Sequence, residues 1–194
     1  MSSRITIGVF VGGIGSRMGG VAKGLLRTPD GNETLLERLL RQCALAAPTA
    51  RPWLIGEAAA YAAFGLPQLA DDPSGVGPIG GLRALLSRAQ AEQSELALAL
   101  ACDLPFLNQV ALEALISPFS GITRVPLVEG RLQPLAAVYA PDAALSAVDR
   151  ALALGKHALM QVLDQLGPAL ERIEFDDTGA RALRDWDTPE DIRR

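Results

Sequence analysis

The chain has 194 residues, of which 49% are hydrophobic, with a formal net charge of -4 and two cysteines. That length suits one ordinary domain with ample material for a core, so residues 1–194 are read as a single domain. The negative charge, and the lack of any Lys/Arg-rich block with interleaved aromatics, exclude a nucleic-acid footprint. The apolar runs are too short to span a bilayer and the first residues carry no export signal, so no membrane partner is expected and the expected location is cytoplasmic. Cys43 and Cys102 have no second Cys or His at metal-ligand spacing, which argues against zinc and for reduced core residues.

In chain order, residues 5–11 form a β-branched run that stops at glycines, the pattern of a strand buried on both faces. Leu35, Leu36, Leu39, Leu40 and Cys43 recur at helical spacing, and Pro48 closes that helix. Residues 53–55 read as a strand, 58–64 as a short helix and 66–70 as another strand. A glycine-rich loop over residues 72–81 then leads to a helix over 82–91, an apolar strand over 96–102 and a helix over 110–116. Strands alternating with helices predict parallel pairing through crossover helices.

The second half changes character. Residues 122–128 and 131–139 suit a hairpin around Glu129-Gly130, followed by helices over 143–154 and 159–166 and a late strand over 171–175. Polar residues 176–179 read as a loose loop, and Thr188-Pro189-Glu190-Asp191 offers an N-cap, a first-turn proline and early carboxylates for a last helix. The expected fold is α/β: a Rossmann-like three-layer α/β/α arrangement around a mostly parallel, mixed sheet.

Gly12-Gly13-Ile14-Gly15-Ser16-Arg17-Met18-Gly19-Gly20-Val21-Ala22-Lys23 follows the first strand, where missing side chains let backbone N–H groups approach anionic oxygens. Arg17 supplies a planar fork of donors and Lys23 a mobile ammonium, a pair suited to a triphosphate and its departing pyrophosphate. The spacing is neither a dinucleotide fingerprint nor a P-loop, since Gly24 rather than Ser or Thr follows Lys23.

Asp103 ends the apolar run before Leu104-Pro105, so it should project from the carboxyl end of a strand, where open α/β sheets bind ligands. Magnesium takes only one or two protein carboxylates, so one well-placed aspartate suffices. The alternative for Asp103 is a turn or cap residue. Asp71 and Asp72 precede the second glycine loop, where either also fits a turn with Pro73 and Ser74. His157 reads as a solvated helix-end residue, and packing accounts for Trp53 and Trp186.

Gly12, Gly13, Arg17, Met18, Gly19, Gly20 and Lys23 together resemble the first-loop signature of the molybdenum cofactor guanylyltransferases, also called molybdopterin-guanine dinucleotide biosynthesis protein A. Cys102-Asp103-Leu104-Pro105 is similar to the family's Cys-Asp-x-Pro element, and Gly77-Pro78-Ile79-Gly80-Gly81 to its Gly-Pro-Leu-Ala-Gly loop. The resemblance implies a nucleotidyltransferase fold and GMP transfer from GTP to the molybdenum-molybdopterin cofactor. It implies Arg17, Lys23 and Asp103 as catalytic, Asp103 as the Mg2+ ligand, and Val11, Gly12, Gly13, Lys23, Asp71, Gly77, Gly81 and Asp103 as nucleotide contacts. GTP, molybdopterin, and cofactor-delivery and acceptor proteins are the implied partners.

The chain departs from the pattern in several places. Phe10-Val11 stand for Leu-Ala, Ala22 for an acidic residue, Gly56 for asparagine, and Asp185 and Asp187 for two asparagines. The last departure leaves open a cytidylyltransferase for the same cofactor or another sugar- or cofactor-phosphate nucleotidyltransferase. A non-enzymatic nucleotide-binding module is the third reading, opposed by the presence of Arg17, Lys23 and Asp103.

Overall fold

The strand pairing of β1 (Ile5–Phe10) decides where a ligand can sit: it pairs in parallel with β2 (Pro52–Ile55) on one side and β4 (Leu96–Ala101) on the other. These elements come from a computed structural model that describes residues 4–11, 22–56, 59–118 and 120–186. β3 (Gln68–Leu69) extends the β2 side in parallel. Beyond β4 comes β7 (Ala136–Tyr139), antiparallel to β4 and to β5 (Thr123–Val128), and β8 (Leu170–Glu174) runs parallel to β5. The short β6 (Arg131–Leu132) closes a hairpin with β5. Two reversals through β7 restore the direction, so β1, β4, β5 and β8 all end on one edge of the sheet. The chain moves outward from β1 to β3 and then returns to β4, which makes the gap between the β1 and β4 ends the topological switch point.

Helices cover both faces, as the alternation of strand residues requires. Ile7, Val9, Leu98, Leu100 and Val138 point to α1 (Leu35–Ala46), α3 (Gln109–Ile116) and α6 (Asp177–Ala182). Phe10, Ala97, Ala99, Ala137 and Tyr139 point to α2 (Pro78–Ala91), α4 (Pro141–Ala153) and α5 (Leu159–Leu166). The alternation Leu-Ala-Leu-Ala-Leu-Ala in β4 therefore puts leucines under one layer and alanines under the other. Gly8 continues the small face: a Cβ there would lie 2.7 Å from Leu85 of α2. α1 starts where it does because Thr34 and Glu37 form a capping box, the Thr34 hydroxyl accepting from the Glu37 amide at 3.2 Å and the Glu37 carboxylate accepting from the Thr34 amide at 2.7 Å.

The predicted α/β/α layers and mixed sheet match the structure, and several boundaries shift. α2 begins at Pro78, not Leu82, so Gly80 and Gly81 belong to its first turn. Residues 59–64 form a 3-10 helix, and the strand expected over 66–70 shrinks to Gln68–Leu69. The strand expected over 131–139 breaks into β6 and β7 at Gln133-Pro134, because the proline cannot donate to a ladder. The loop expected over 176–179 is the start of α6: Asp176 caps it, accepting from the Gly179 amide at 2.8 Å. Gly12, Gly13, Arg17, Asp187 and the helix expected from Thr188 lie outside the described residues.

Candidate active site

Lys23 and Asp103 meet at the switch point. Lys23 opens a 3-10 turn over Lys23–Leu25, and its Nζ lies 2.7 Å from Asp103 Oδ2, with the side chains 19% and 13% exposed. Asp103 follows β4 by two residues, and the Cys102 amide donates to Phe10 O at 3.1 Å, which holds the ends of β1 and β4 level. The sequence separates the pair by 80 positions, and only the parallel β1/β4 register joins them. An ammonium and a carboxylate beyond the carboxyl ends of parallel strands can do opposite things: the cation takes phosphate oxygens, and the anion holds the cation or a hard metal ion.

Tyr61, which the sequence reading passed over, sits beneath this pair. It is 2% exposed, and its hydroxyl accepts from the Gly24 amide at 3.1 Å. The Cys102 thiol lies beside the same hydroxyl, and burial raises the pKa of both groups, that of Cys102 to about 12, so both remain protonated. Tyr61 thus ties the residue after Lys23 to the residue before Asp103. Gly24 has no freedom to carry a side chain, because a Cβ would lie 2.9 Å from the Tyr61 ring. No local sequence signal marks this contact, since residue 61 reaches the site through a 3-10 helix that belongs to neither motif.

The second glycine loop lies on the β2/β3 side. Gly77 caps α2 with φ 79 and no side-chain bond, leaving the positive end of the helix directed at the same sheet edge. Gly81 is buried, and a Cβ there would lie 2.7 Å from Ile55, 2.8 Å from Phe10 and 3.0 Å from Asp71 Oδ1. The structure therefore brings Asp71 and Gly81 together but gives Gly81 a packing role in the helix, where the sequence reading placed it in a loop. Val11 needs a comparable correction: its amide donates to Ile55 O at 3.1 Å, continuing the β1/β2 ladder, so that N–H is already satisfied. Gly56 has φ 94 and donates to Leu69 O at 2.9 Å, a turn that asparagine tolerates less readily than glycine. Asp72 turns outward onto Arg83, which also holds Asp149 at 2.7 Å.

The opposite side of Asp103 holds residues that no motif linked. The Trp186 amide donates to Asp103 O at 3.0 Å, and the Trp186 ring packs edge-on against Phe106 at 6.4 Å. Beyond them opens a cleft of about 370 Å³ whose walls include Glu129, Asp177, Arg181 and Arg184. Trp53, by contrast, lies in β2 and stacks under Arg88 of α2 at 4.3 Å. His157 is exposed between α4 and α5, as the sequence predicts.

The layer order, the switch-point carboxylate and the capping glycine of α2 define an α/β nucleotidyltransferase fold. Two solved structures share it: molybdopterin-guanine dinucleotide biosynthesis protein A from Archaeoglobus fulgidus has a TM-score of 0.75 at 22% identity, covering 97% of this chain and 95% of that one. A nucleotidyl transferase from Methanothermobacter thermautotroptrophicus has a TM-score of 0.72 at 19% identity, covering 99% and 95%. A probable molybdenum cofactor guanylyltransferase from Chloroflexus aggregans is 34% identical over 196 aligned positions, covering 96% of this chain and 91% of the relative. The model of the MobA-like NTP transferase domain matches residues 7–171. The chain belongs to the MobA-like NTP transferase family, alongside the molybdenum cofactor guanylyltransferases.

Proposed function

We propose that this protein transfers GMP from GTP to the molybdenum-molybdopterin cofactor and releases pyrophosphate. The observation that carries the reading is the Lys23–Asp103 pair at the β1/β4 switch point, in a chain 34% identical to a relative named for guanylyl transfer. An oxygen of the acceptor phosphate forms a bond to the α-phosphorus of GTP in line with the bond to the bridging oxygen of the leaving pyrophosphate. That bond breaks, and its electron pair stays on pyrophosphate. No covalent enzyme intermediate is needed, so the chain contributes position and charge.

Lys23 is placed to donate to the phosphate oxygens on which negative charge accumulates, and Asp103 fixes the ammonium before substrate arrives. Asp71 and the amino end of α2 face the nucleotide from the other side, with Gly81 leaving room for the Asp71 carboxylate. Arg17 completes the charge neutralisation in this reading. Magnesium fits the donor set, because it keeps most of its waters and takes one or two protein carboxylates, and Asp103 supplies one just past the end of β4. Asp103 would hold it, and the ion would supply further positive charge to the phosphates.

The test is transfer with GTP and CTP in parallel, on molybdenum-loaded molybdopterin with magnesium, read by mass spectrometry with Asp103→Ala as control. GMP transfer lost in the control is the expected result. Preference for CTP would replace the reading with the cytidylyl activity that Asp185 and Asp187 leave open, and no transfer from either nucleotide would overturn it. Replacing magnesium by chelator should abolish turnover if the metal assignment is right.

A further inference from the structure

Lys23 and Asp103 meet through their side chains, so the backbone segments that carry them must hold their places for the pair to form. On the Lys23 side that segment is tied to itself. The Leu26 amide donates to Lys23 O at 3.0 Å, and the chain then folds back as a hairpin in which the Leu35 amide donates to Leu26 O at 2.9 Å and Arg27 pairs with Thr34. Thr28 is 3% exposed and fills the turn, its hydroxyl reaching Asp30 Oδ1 at 2.6 Å and Glu33 O at 2.9 Å.

Arg38 of α1 fastens this hairpin to the loop that carries Asp103. Its Nε donates to Glu33 Oε1 at 3.0 Å and one terminal nitrogen to Asp30 Oδ2 at 2.7 Å, both on the hairpin. The other terminal nitrogen donates to Pro105 O at 3.1 Å, two residues past Asp103. Phe106 comes next, its ring against Trp186, whose amide returns to Asp103 O. Both carboxylates are ionised at neutral pH: the Thr28 hydroxyl, then Arg38, lowers the Asp30 pKa to about 2, and Arg41, then Arg38, lowers that of Glu33.

Arg41 supplies the contrast. It also pairs with Glu33, at 2.6 Å, but it is 51% exposed, and among the described residues its hydrogen bonds all go to Glu33. Such an exposed pair contributes little. Arg38 is 16% exposed, and its planar fork serves three acceptors on two segments at fixed angles. Tyr61 lies between Gly24 and Cys102, so the Lys23–Asp103 pair stands between two cross-links, one through Tyr61 and one through Arg38.

We propose that Arg38 is a positioning residue for the transfer: its guanidinium locks the hairpin after Lys23 to the loop after Asp103, and so sets the ammonium and the carboxylate where the phosphates meet them. The inference rests on the proposed GMP transfer. Arg38 acts through the Pro105 carbonyl and the hairpin carboxylates, not by contact with substrate.

Arg38→Lys separates this role from charge balance, because one nitrogen cannot reach two carboxylates and the carbonyl as three nitrogens do. Single-turnover GMP transfer should fall about tenfold with the half-saturating GTP concentration unchanged, since small misplacements of reacting groups cost rate more than binding. Arg41→Ala should stay within about twofold of wild type, as exposed pairs predict. Trp186 is one of two tryptophans, so in a Trp53→Phe background its emission reports on the Asp103 loop; Arg38→Lys should shift it to the red and open it to acrylamide. Urea unfolding followed by circular dichroism identifies conditions in which every variant is fully folded, and rates are compared there.

A wild-type rate in Arg38→Lys, a weaker GTP half-saturation at unchanged rate, an equal loss in Arg41→Ala, or unchanged Trp186 emission would each overturn the inference. If the wild type transfers no GMP, the proposed activity falls, and Trp186 emission alone decides whether Arg38 holds the loop. If the wild type transfers GMP and Arg38→Lys matches it, the activity stands and the positioning role falls.

Discussion

On one side of Asp103 the sheet runs β4-β1-β2-β3 with every strand parallel; on the other, β7 opposes both neighbours before β5 and β8 regain the common direction. The parallel side gathers its site residues from the stretches that follow β1 and β3: Lys23, Asp71 and the start of α2. The mixed side gathers Phe106 from the β4–α3 loop, Glu129 from the β5–β6 turn, Arg181 from α6, and Arg184 and Trp186 from the segment after it. Their means of support differ too. The parallel side rests on aliphatic layers and close glycine contacts, whereas the mixed side has a buried arginine at its centre.

That arginine is Arg124 of β5, whose side chain is 7% exposed. Its guanidinium donates to the carbonyls of Ala114 and Ser117 at 2.9 and 2.8 Å, and of Pro118 at 2.9 Å, and pairs with Glu171 of β8 at 2.7 Å. One side chain thereby caps the end of α3 and joins β5 to β8. A buried charge with this many partners fixes geometry more surely than it adds stability, since desolvation offsets much of the attraction.

The comparison can be broken at four points. Lys23→Ala and Asp103→Ala act where the two sides meet and should each lower single-turnover GMP transfer by about a hundredfold or more, as expected for groups that stabilise developing charge. Wild-type rates in either variant would remove that residue from the chemistry. Arg124→Ala should cost about 3–5 kcal/mol, because carbonyls and Glu171 lose their partner inside the fold. Urea unfolding measures this, and a loss below about 1 kcal/mol would show that water replaces the guanidinium easily.

Tyr61→Phe should be milder, about 1–3 kcal/mol, since it orphans the buried Gly24 amide without opening a cavity. It should lower the transfer rate while leaving the KM for both substrates unchanged, because Tyr61 positions Lys23 and touches neither substrate. A rise in KM alone would contradict that role. Arg83→Ala should have the smallest effect, under about 1 kcal/mol and reduced further by salt, because its pairs with Asp72 and Asp149 face solvent. A larger loss would mean that the α2–α4 contact depends on this network.

Local sequence determined the strands and most helices of this protein, because burial on both faces leaves uninterrupted apolar runs and amphipathic helices repeat at helical spacing. It also marked Lys23, Asp71 and Asp103, since a glycine loop or a carboxylate at a strand end is a short-range pattern. Local reading missed the start of α2, where Gly80 and Gly81 suggest a loop; their tight packing against Pro73, Phe10 and Ile55 explains why a helix needs them. It also left α6 as a loop, although Asp176 caps it three residues before Gly179. Only the tertiary structure decided that Tyr61 bridges the Lys23 turn to Cys102, that the Val11 amide belongs to the ladder, and that Trp186 returns to Asp103. Those contacts join residues tens of positions apart, and their partners are chosen by strand order and register, which no local periodicity encodes.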